Sequence, residues 1–357
     1  MSAIGDQTAI RSRVDDPLAD CRARGDGIGF VGPDIPIDVL LASGRPFGHL
    51  PWRVSGRMDS SDKWLESSFP FWARSIVAQW EQGGFDDLRT VIFSRADDAS
   101  QRLYYYVTEL RRRGKLAGPD PWMFDIALIQ RESSELHTEQ ALLDLMSLLD
   151  VSGDSLLTGI EQGNELRVRL SVIDAHRTSD GPAFEQLGRA ALWTDPSEWI
   201  GDVNVPESDS TRRRVLLAGS MPPDDRIHAI IEQAGASVVS EAHALDLRRL
   251  GDAVTLRDAA PERALARHLR AVSISPRAVT DRAAWLVQRA ADARADAVVI
   301  WLTREDEALA WSVPAQRRAL AETGVAFLIV SAAGWQADDG VEGRIEAFCA
   351  EEGHATA

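Results

Sequence analysis

The stretch VLLAGSMPPDDRIHAIIEQAGASVVSE, residues 215–241, decides the fold class of this chain. Residues 215–219 predict a buried strand, and the turn that follows contains two prolines. Residues 224–235 predict a helix that ends on Gly235, and residues 236–241 predict the next strand. Because a helix joins the two strands, this unit indicates a parallel sheet with its helix on one face.

The same alternation extends in both directions from this stretch. Further strands are predicted at 27–31, 89–94, 123–129, 296–303 and 325–330. Helices are predicted at 36–43, 98–113, 135–149, 154–174, 279–294, 314–323 and 341–351. The expected fold class is therefore α/β, with two doubly wound domains of mostly parallel sheet, extra helices and a cleft between the domains.

A polar stretch at 203–214 separates the two series and places the domain boundary near residue 205. The expected organisation is a polar, poorly ordered leader over 1–25, an N-terminal α/β domain over 26–204 and a C-terminal α/β domain over 205–357. The leader has no apolar core of the kind that a signal peptide carries.

Composition narrows the class of partner. The 357 residues carry a net charge of −16, so nucleic acid is not an expected partner. No apolar run approaches the roughly 20 residues that cross a bilayer, so no membrane contact and a cytoplasmic location are expected.

The two cysteines, Cys21 and Cys349, are too few for a four-thiolate metal site, and free thiols are expected. The seven histidines show no metal-binding spacing, and no metal site is predicted.

In parallel sheets ligands bind outside the carboxyl ends of the strands, so these ends hold the candidate site residues. RADD at 95–98 offers Asp97 and Asp98 for acid–base work, or as caps of the next helix. AGSMPPDD at 218–225 is either a phosphate-binding turn or an ordinary tight turn. TREDE at 303–307 offers Arg304 to an anion, or is a solvated loop.

Several segments, in order and over about 320 residues, resemble the 2-hydroxyacyl-CoA dehydratase and benzoyl-CoA reductase family. The segments that carry the resemblance are IPIDVLLASGRPFGHLPWR at 35–53, DDASQRLYYYV at 97–107, LLTGIEQGNELRVRL at 156–170, the stretch 212–248, ADAVVIWL at 295–302 and GRIEAFCAEEG at 343–353. The resemblance implies two similar α/β domains with an iron–sulfur cluster in the crevice between them, held by one cysteine from each of three strand ends.

The three expected cysteine positions carry other residues. Asp97 (or Ala96) stands at the first, Ala244 at the second, and no cysteine occurs from Thr303 to Asp306, where the third is expected. Because carboxylate and methyl groups do not replace soft thiolates on iron, no cluster is predicted on this chain. The family's reaction uses an electron from an ATP-driven activator that passes through this cluster, so that chemistry is not expected here.

Two functions follow from the resemblance. The first is an accessory or structural subunit that pairs with a cysteine-bearing homologue, or with itself, in a CoA-thioester dehydratase or reductase complex. The second is a repurposed non-redox enzyme or binding protein for an acyl or CoA-type ligand. The catalytic candidates are Asp97, Asp98, His243 and Arg304, and the predicted cleft residues are Ser94, Gly219, Ser220, Ala244 and Thr303.

Overall fold

The structure is a computed structural model of the chain, and it describes residues 5–54, 59–177, 180–204, 211–257, 259–275, 278 and 281–350. Elements are numbered along the chain. Two four-stranded sheets, each entirely parallel, form the framework. This confirms the predicted α/β class. None of the helices in the described ranges is long and apolar enough to cross a membrane.

The first sheet has the strand order β2-β1-β3-β4. Its strands are β1 (Gly27–Val31), β2 (Phe47–His49), β3 (Leu88–Ser94) and β4 (Asp120–Phe124). The helices of this part of the chain are α1 (Gln7–Asp15), α2 (Ala19–Arg24), α3 (Ile37–Ala42), α4 (Asp59–Asp62), α5 (Phe71–Glu81), α6 (Asp98–Arg112), α7 (Glu132–Leu148), α8 (Gly153–Ala175) and α9 (Gly181–Trp193), with a 3₁₀ turn at Ile200–Asp202.

The second sheet has the equivalent order β6-β5-β7-β8. Its strands are β5 (Arg213–Gly219), β6 (Ala236–Ala242), β7 (Ala297–Thr303) and β8 (Ala326–Ala333). The helices are α10 (Arg226–Gln233), α11 (Pro261–Val272), α12 (Arg282–Asp292), α13 (Glu307–Ala310), α14 (Val313–Thr323) and α15 (Val341–Ala350), with a 3₁₀ turn at Leu247–Leu250.

Helices cover both faces of each sheet because successive strand residues point to opposite sides. In β5, Leu217 joins the core formed with α10 and α15, whereas its neighbour Leu216 joins the core formed with α12 and α14. In each sheet the second strand in the chain lies on one side of the first strand, and the third strand lies on its other side. The two central strands therefore form a topological switch point, where ligands bind in such folds.

The structure differs from the expectation of a poorly ordered leader over 1–25: in the described residues, two helices, α1 and α2, occupy most of this segment. Ile10 on α1, Leu18 just before α2 and Cys21 on α2 are buried. The segment lies so close to the first sheet that a Cβ atom on Gly48 of β2 would lie only 2.2 Å from the Pro17 carbonyl oxygen. The leader therefore packs directly against the sheet, which a polar composition does not reveal.

Two strands differ from the sequence prediction. The strand expected at 123–129 lies at Asp120–Phe124, where Thr90 to Ser94 pair with it in register. The sequence does not predict the short edge strand β2 (Phe47–His49), because Gly44 and Pro46 before it, Gly48 within it and Pro51 after it indicate a loop. The predicted boundary near 205 falls within 205–210, outside the described residues.

A buried ion pair joins α3 to α8. Arg167 donates to both carboxylate oxygens of Asp38 at 2.7 Å, and its Nε donates to the Leu250 carbonyl oxygen at 3.1 Å. Gly159 makes this approach possible, since a Cβ there would lie 2.2 Å from the Asp38 backbone oxygen. The two side chains are 2% and 0% exposed, so neither charge has water as an alternative partner.

Replacing Asp38 with Asn should therefore destabilise the protein by about 3–5 kcal/mol, because it leaves the Arg167 guanidinium buried and unpaired. The measurement is the free energy of unfolding in urea. Glu109→Gln also removes one carboxylate, but its partners Arg112 and Arg113 are exposed, so it should change little. Equal effects of the two substitutions would contradict the importance of the buried pair.

Candidate functional site

A cleft of about 1110 Å³ lies at the carboxyl ends of both sheets. Gly32 and Pro33 reach it from the end of β1, Asp97 from the end of β3, Ser220 from β5 and Thr303 from β7. These are the central strands of the two sheets. The cleft therefore occupies both topological switch points at once, where parallel strand ends leave a crevice.

Most of the predicted site residues line this cleft. They are the catalytic candidates Asp97, Asp98, His243 and Arg304, and the predicted cleft residues Gly219, Ser220, Ala244 and Thr303. Ser94 does not line it. Its hydroxyl is buried at the end of β3 and accepts a hydrogen bond from the Ala96 backbone N–H at 2.9 Å. The structure thus assigns Ser94 to the turn that follows the strand.

Asp97 caps a helix, as one of the two sequence interpretations predicted. It is the N-cap of α6: its Oδ1 accepts from the Ser100 backbone N–H at 2.8 Å, and its Oδ2 accepts from the Ser100 hydroxyl at 2.6 Å. It also faces the cleft. Burial raises the pKa of Asp97 from 3.8 to about 6, against the lowering effect of the Ser100 hydrogen bonds, and the nearby charge of Asp306 raises it further.

Asp306 is a further carboxyl group of the cleft lining, and the sequence argument did not select it. Its Oδ2 accepts from the Ser220 hydroxyl at 2.8 Å, and that hydroxyl accepts from the Thr303 backbone N–H at 3.1 Å. Burial raises the pKa of Asp306 as well. The sequence does show that Asp306 is the second acidic residue of TREDE, shortly after the end of a predicted strand. Two carboxyl groups with raised pKa values, one from each sheet, thus share this cleft.

The other two charged candidates lie towards solvent. The Asp98 side chain is 72% exposed and pairs loosely with Arg102 one turn along α6, at 3.8 Å. Arg304 is exposed in the cleft wall, at the end of β7. Asp98 and Arg304 therefore belong to the mouth of the cleft, and Asp97 and Asp306 to its partly buried wall.

Aromatic side chains form the rest of the wall. Trp52, Trp72 and Trp335 are each more than nine-tenths buried, and the Trp335 indole nitrogen has no hydrogen-bond partner among the described residues. His49 stacks on Trp193 at 4.7 Å, and burial lowers the pKa of His49 to about 3, so its imidazole is neutral. At the mouth, Trp311 is 86% exposed. The cleft thus combines apolar area with a few polar groups, as small-molecule sites do.

His243 belongs to a buried cluster that sequence spacing did not predict. The donor atoms of His228, Glu241 and His243 lie within 4.8 Å of one another, so this group has the composition of a metal site. However, Glu241 already accepts from His228 Nε2 at 2.7 Å and from Arg177 Nη2 at 2.8 Å. Burial alone would raise the pKa of Glu241, but Arg177 and the two imidazoles hold it well below its usual range.

Hydrogen bonds already occupy part of this cluster. His243 Nδ1 accepts from the Leu245 backbone N–H at 3.2 Å. Its Nε2 lies 3.6 Å from the Glu241 carboxylate and has no hydrogen-bond partner within the described ranges. Together with the Arg177 contact, this arrangement favours a buried charge network over a metal centre.

The cleft does not fit a thiolate-bound cluster. At the three strand ends the wall carries Asp97, Ala244 and the segment Thr303 to Asp306, which offer oxygen atoms or no ligand at all. The two cysteines lie elsewhere. Cys21 is buried beneath β1, against Gly27, and Cys349 is buried on α15 in the core of the second sheet. Burial raises the pKa of Cys21 to about 12 and that of Cys349 to about 11, so both are held as thiols.

The fold and cleft define an α/β protein with a cleft between two parallel sheets. Comparison with protein families then identifies it further: the model of the 2-hydroxyglutaryl-CoA dehydratase D-component matches residues 52–350. The chain therefore belongs to the 2-hydroxyglutaryl-CoA dehydratase D-component family, which confirms the resemblance seen in the sequence. No curated protein matches the chain.

The raised pKa of Asp97 predicts how its substitution changes stability. Between about pH 4 and pH 6 the folded protein holds this proton more tightly than the unfolded chain, so stability falls as pH rises through that interval. Asn keeps the helix cap and carries no charge. Asp97→Asn should therefore be more stable than the wild type at pH 8, by about 1–3 kcal/mol, with the difference vanishing near pH 4.

Thermal unfolding from pH 4 to pH 8 measures this difference. The adjacent substitution Asp98→Asn is the matched control, because that side chain is exposed, and it should show no such pH dependence. An Asp97→Asn variant that is less stable than the wild type at pH 8 would refute the raised pKa.

Proposed function

We propose that this family member works without an iron–sulfur cluster of its own and binds an acyl compound of the CoA-thioester class in the cleft between its sheets. In this proposal Asp97 and Asp306 exchange protons with the bound acyl group. One observation supports this proposal above all: the strand ends where cysteines are expected have none, and the cleft wall there holds two partly buried carboxyl groups.

The two carboxyl groups suit proton transfer near neutral pH. A general acid or base works best when its pKa lies close to the working pH, and burial moves Asp97 in that direction, to about 6. Burial raises the pKa of Asp306 as well, and the charge of Asp306 adds to the raised pKa of Asp97. The hydroxyl groups of Ser100 and Ser220 hold the two carboxyl groups in place.

The size and lining of the cleft support a ligand of the CoA-thioester class. Its volume of about 1110 Å³ is at the upper end of small-molecule sites. Apolar area from Trp72 and Trp335 suits an acyl chain, and Arg282 and Arg304 offer positive charge to a phosphate-bearing part. The exposed Trp311 at the mouth offers a flat surface for a ring system.

A second candidate function is that of an accessory subunit, paired with a cysteine-bearing homologue or with a second copy of this chain. Family membership together with the thiol-free cleft supports this candidate, because a partner would then supply the cluster. Exposed apolar side chains offer a surface for such pairing. Leu136 and Leu143 lie seven residues apart on α7, and Val168 and Val172 lie four apart on α8.

Calorimetric titration with butyryl-CoA tests the ligand and the proton transfer together. We expect binding that Arg304→Ala weakens about tenfold or more, because the substitution removes a charge-assisted contact. Repeating the titration near pH 6 in buffers of different ionisation enthalpy should reveal proton exchange on binding, which Asp97→Asn abolishes. Arg257→Ala, an exposed site outside the cleft lining, is the control. Absence of binding, or binding that Arg304→Ala leaves unchanged, would refute the proposed ligand site.

Iron and sulfide content, measured on anaerobically purified protein, tests the loss of the cluster. The chain expressed alone should contain neither, whereas stoichiometric iron on it would contradict the proposal. Co-expression with a cysteine-bearing homologue then separates the two candidate functions. A stable complex that contains iron supports the accessory role. A chain that stays iron-free and uncomplexed, yet binds butyryl-CoA, supports the independent role.

A further inference from the structure

A serine and a carboxylate form a hydrogen-bonded pair in the cleft. Ser220, the first residue after β5, donates from its hydroxyl group to Asp306 Oδ2 at 2.8 Å. Both residues belong to the cleft lining. A base within hydrogen-bond distance activates a serine hydroxyl group, because the base takes up the proton while the oxygen attacks. The pair therefore has the geometry that nucleophilic catalysis requires.

The turn after β5 fixes the position of Ser220. The preceding Gly219 has a φ of +109°, and a Cβ atom there would lie 2.2 Å from the Trp301 carbonyl oxygen, so the turn requires glycine. The Ser220 N–H donates to the same oxygen at 2.8 Å. The Thr303 N–H donates to the Ser220 hydroxyl oxygen at 3.1 Å, which leaves this oxygen a second lone pair for attack. Ser220 is thus held at a strand end with its hydroxyl proton directed at Asp306.

Asp306 suits the role of the base. Burial raises its pKa, against the lowering effects of the Ser220 hydrogen bond and of the Arg282 charge. A carboxylate with a raised pKa accepts a proton more readily than an exposed one does. The Asp306 backbone N–H donates to the Thr303 carbonyl oxygen at 3.2 Å, so a tight turn at the end of β7 holds the carboxyl group in its place.

The residue after Ser220 offers a donor for an oxyanion. When a serine oxygen bonds to a thioester, the carbonyl oxygen becomes negatively charged and is stabilised by N–H groups. The Met221 N–H has no acceptor in the part of the chain that the structure describes. Met221 lines the cleft, and Pro222 and Pro223 after it have no N–H. The backbone N–H that follows a nucleophilic serine has this stabilising role in acyl-transfer sites.

A smaller cavity that adjoins the cleft suits a short acyl chain. It has a volume of about 40 Å³ and shares His49, Met221 and Ala244 with the cleft. Arg249 is its charged residue, and most of the remaining lining is apolar, including Ile35, Ile37, Leu40 and Leu245. Because one water-sized group needs about 10–15 Å³ of such volume, the cavity has room for about three carbon atoms.

We propose that the cleft hydrolyses short-chain acyl thioesters, with Ser220 as the nucleophile and Asp306 as its base. The Ser220 oxygen bonds to the thioester carbonyl carbon, the bond from this carbon to sulfur breaks, and the hydroxyl proton passes through Asp306 to the departing thiolate. Water then attacks the ester on Ser220 and gives a proton to Asp306. The carboxylic acid leaves, and this proton returns to the serine oxygen. The inference rests on the acyl-thioester ligand proposed for the cleft.

Release of free CoA from butyryl-CoA, followed with a thiol reagent, tests the reaction in the full chain. We expect steady release, which Ser220→Ala abolishes and Asp306→Asn slows by about a hundredfold or more. Ser171→Ala, an exposed serine on α8, is the matched control and should leave the rate unchanged. Octanoyl-CoA should react about tenfold more slowly or less, because its chain exceeds the small cavity. Equal rates for the two thioesters would contradict the short-chain assignment.

Mass spectrometry of acid-quenched samples identifies the nucleophile. Trypsin releases peptide 215–226, in which Ser220 is the only serine, and this peptide should carry a butyryl group during turnover. Release of CoA without a butyryl group on this peptide assigns the attack to water and overturns the role of Ser220.

Calorimetric titration of Ser220→Ala with butyryl-CoA separates this inference from the function on which it rests. The variant should still bind the thioester. If it binds while the wild type releases no CoA, hydrolysis is refuted and the proposed ligand site stands. If neither protein binds butyryl-CoA, both the inference and the proposed ligand site are refuted.

Discussion

The buried charge network around Glu241 is the interaction on which the arrangement of the two halves depends. Arg177, just beyond α8, donates to Asp174 on that helix and to Glu241 on β6. Arg289 on α12 pairs with Asp246, just beyond that strand. Burial removes these groups from water, so each charge requires its partner, and loss of one partner costs several kcal/mol. This requirement fixes α8 against the edge of the second sheet. His243 and Ala244 then line the cleft, just beyond the carboxyl end of β6.

The cleft follows from two sheets with the same strand order. Each sheet places its switch point at the carboxyl ends of its two central strands, and the junction brings these ends together. The family's chemistry, as implied by the resemblance, depends on soft thiolates at three of these ends. Here Asp97 and Asp306 supply hard oxygen atoms instead, and Ala244 supplies none. The scaffold that positions the site is retained, and under the proposed function its chemistry is proton transfer instead of electron transfer.

The two carboxyl groups of the cleft lower the stability of the folded protein when they are ionised. Partial burial makes ionised Asp97 and Asp306 unfavourable, and their proximity adds to this cost. A helix cap and two serine hydroxyl groups offset only part of it. Groups with raised pKa values inside a large cavity are typical of functional sites, because a purely structural wall would be more stable with neutral residues.

The sequence by itself determined the α/β class, most strands and helices, and the strand ends that line the cleft, because apolar patterns and turn residues act locally. It also showed that the expected thiolates are missing. Only the tertiary structure placed α1 and α2 on the first sheet, added the edge strand β2, and brought Asp306 close to Asp97 and Arg177 to Glu241. These contacts join residues that are far apart in the chain. No local pattern encodes them, because their energy comes from burial and charge pairing that exist only once both sheets have packed together.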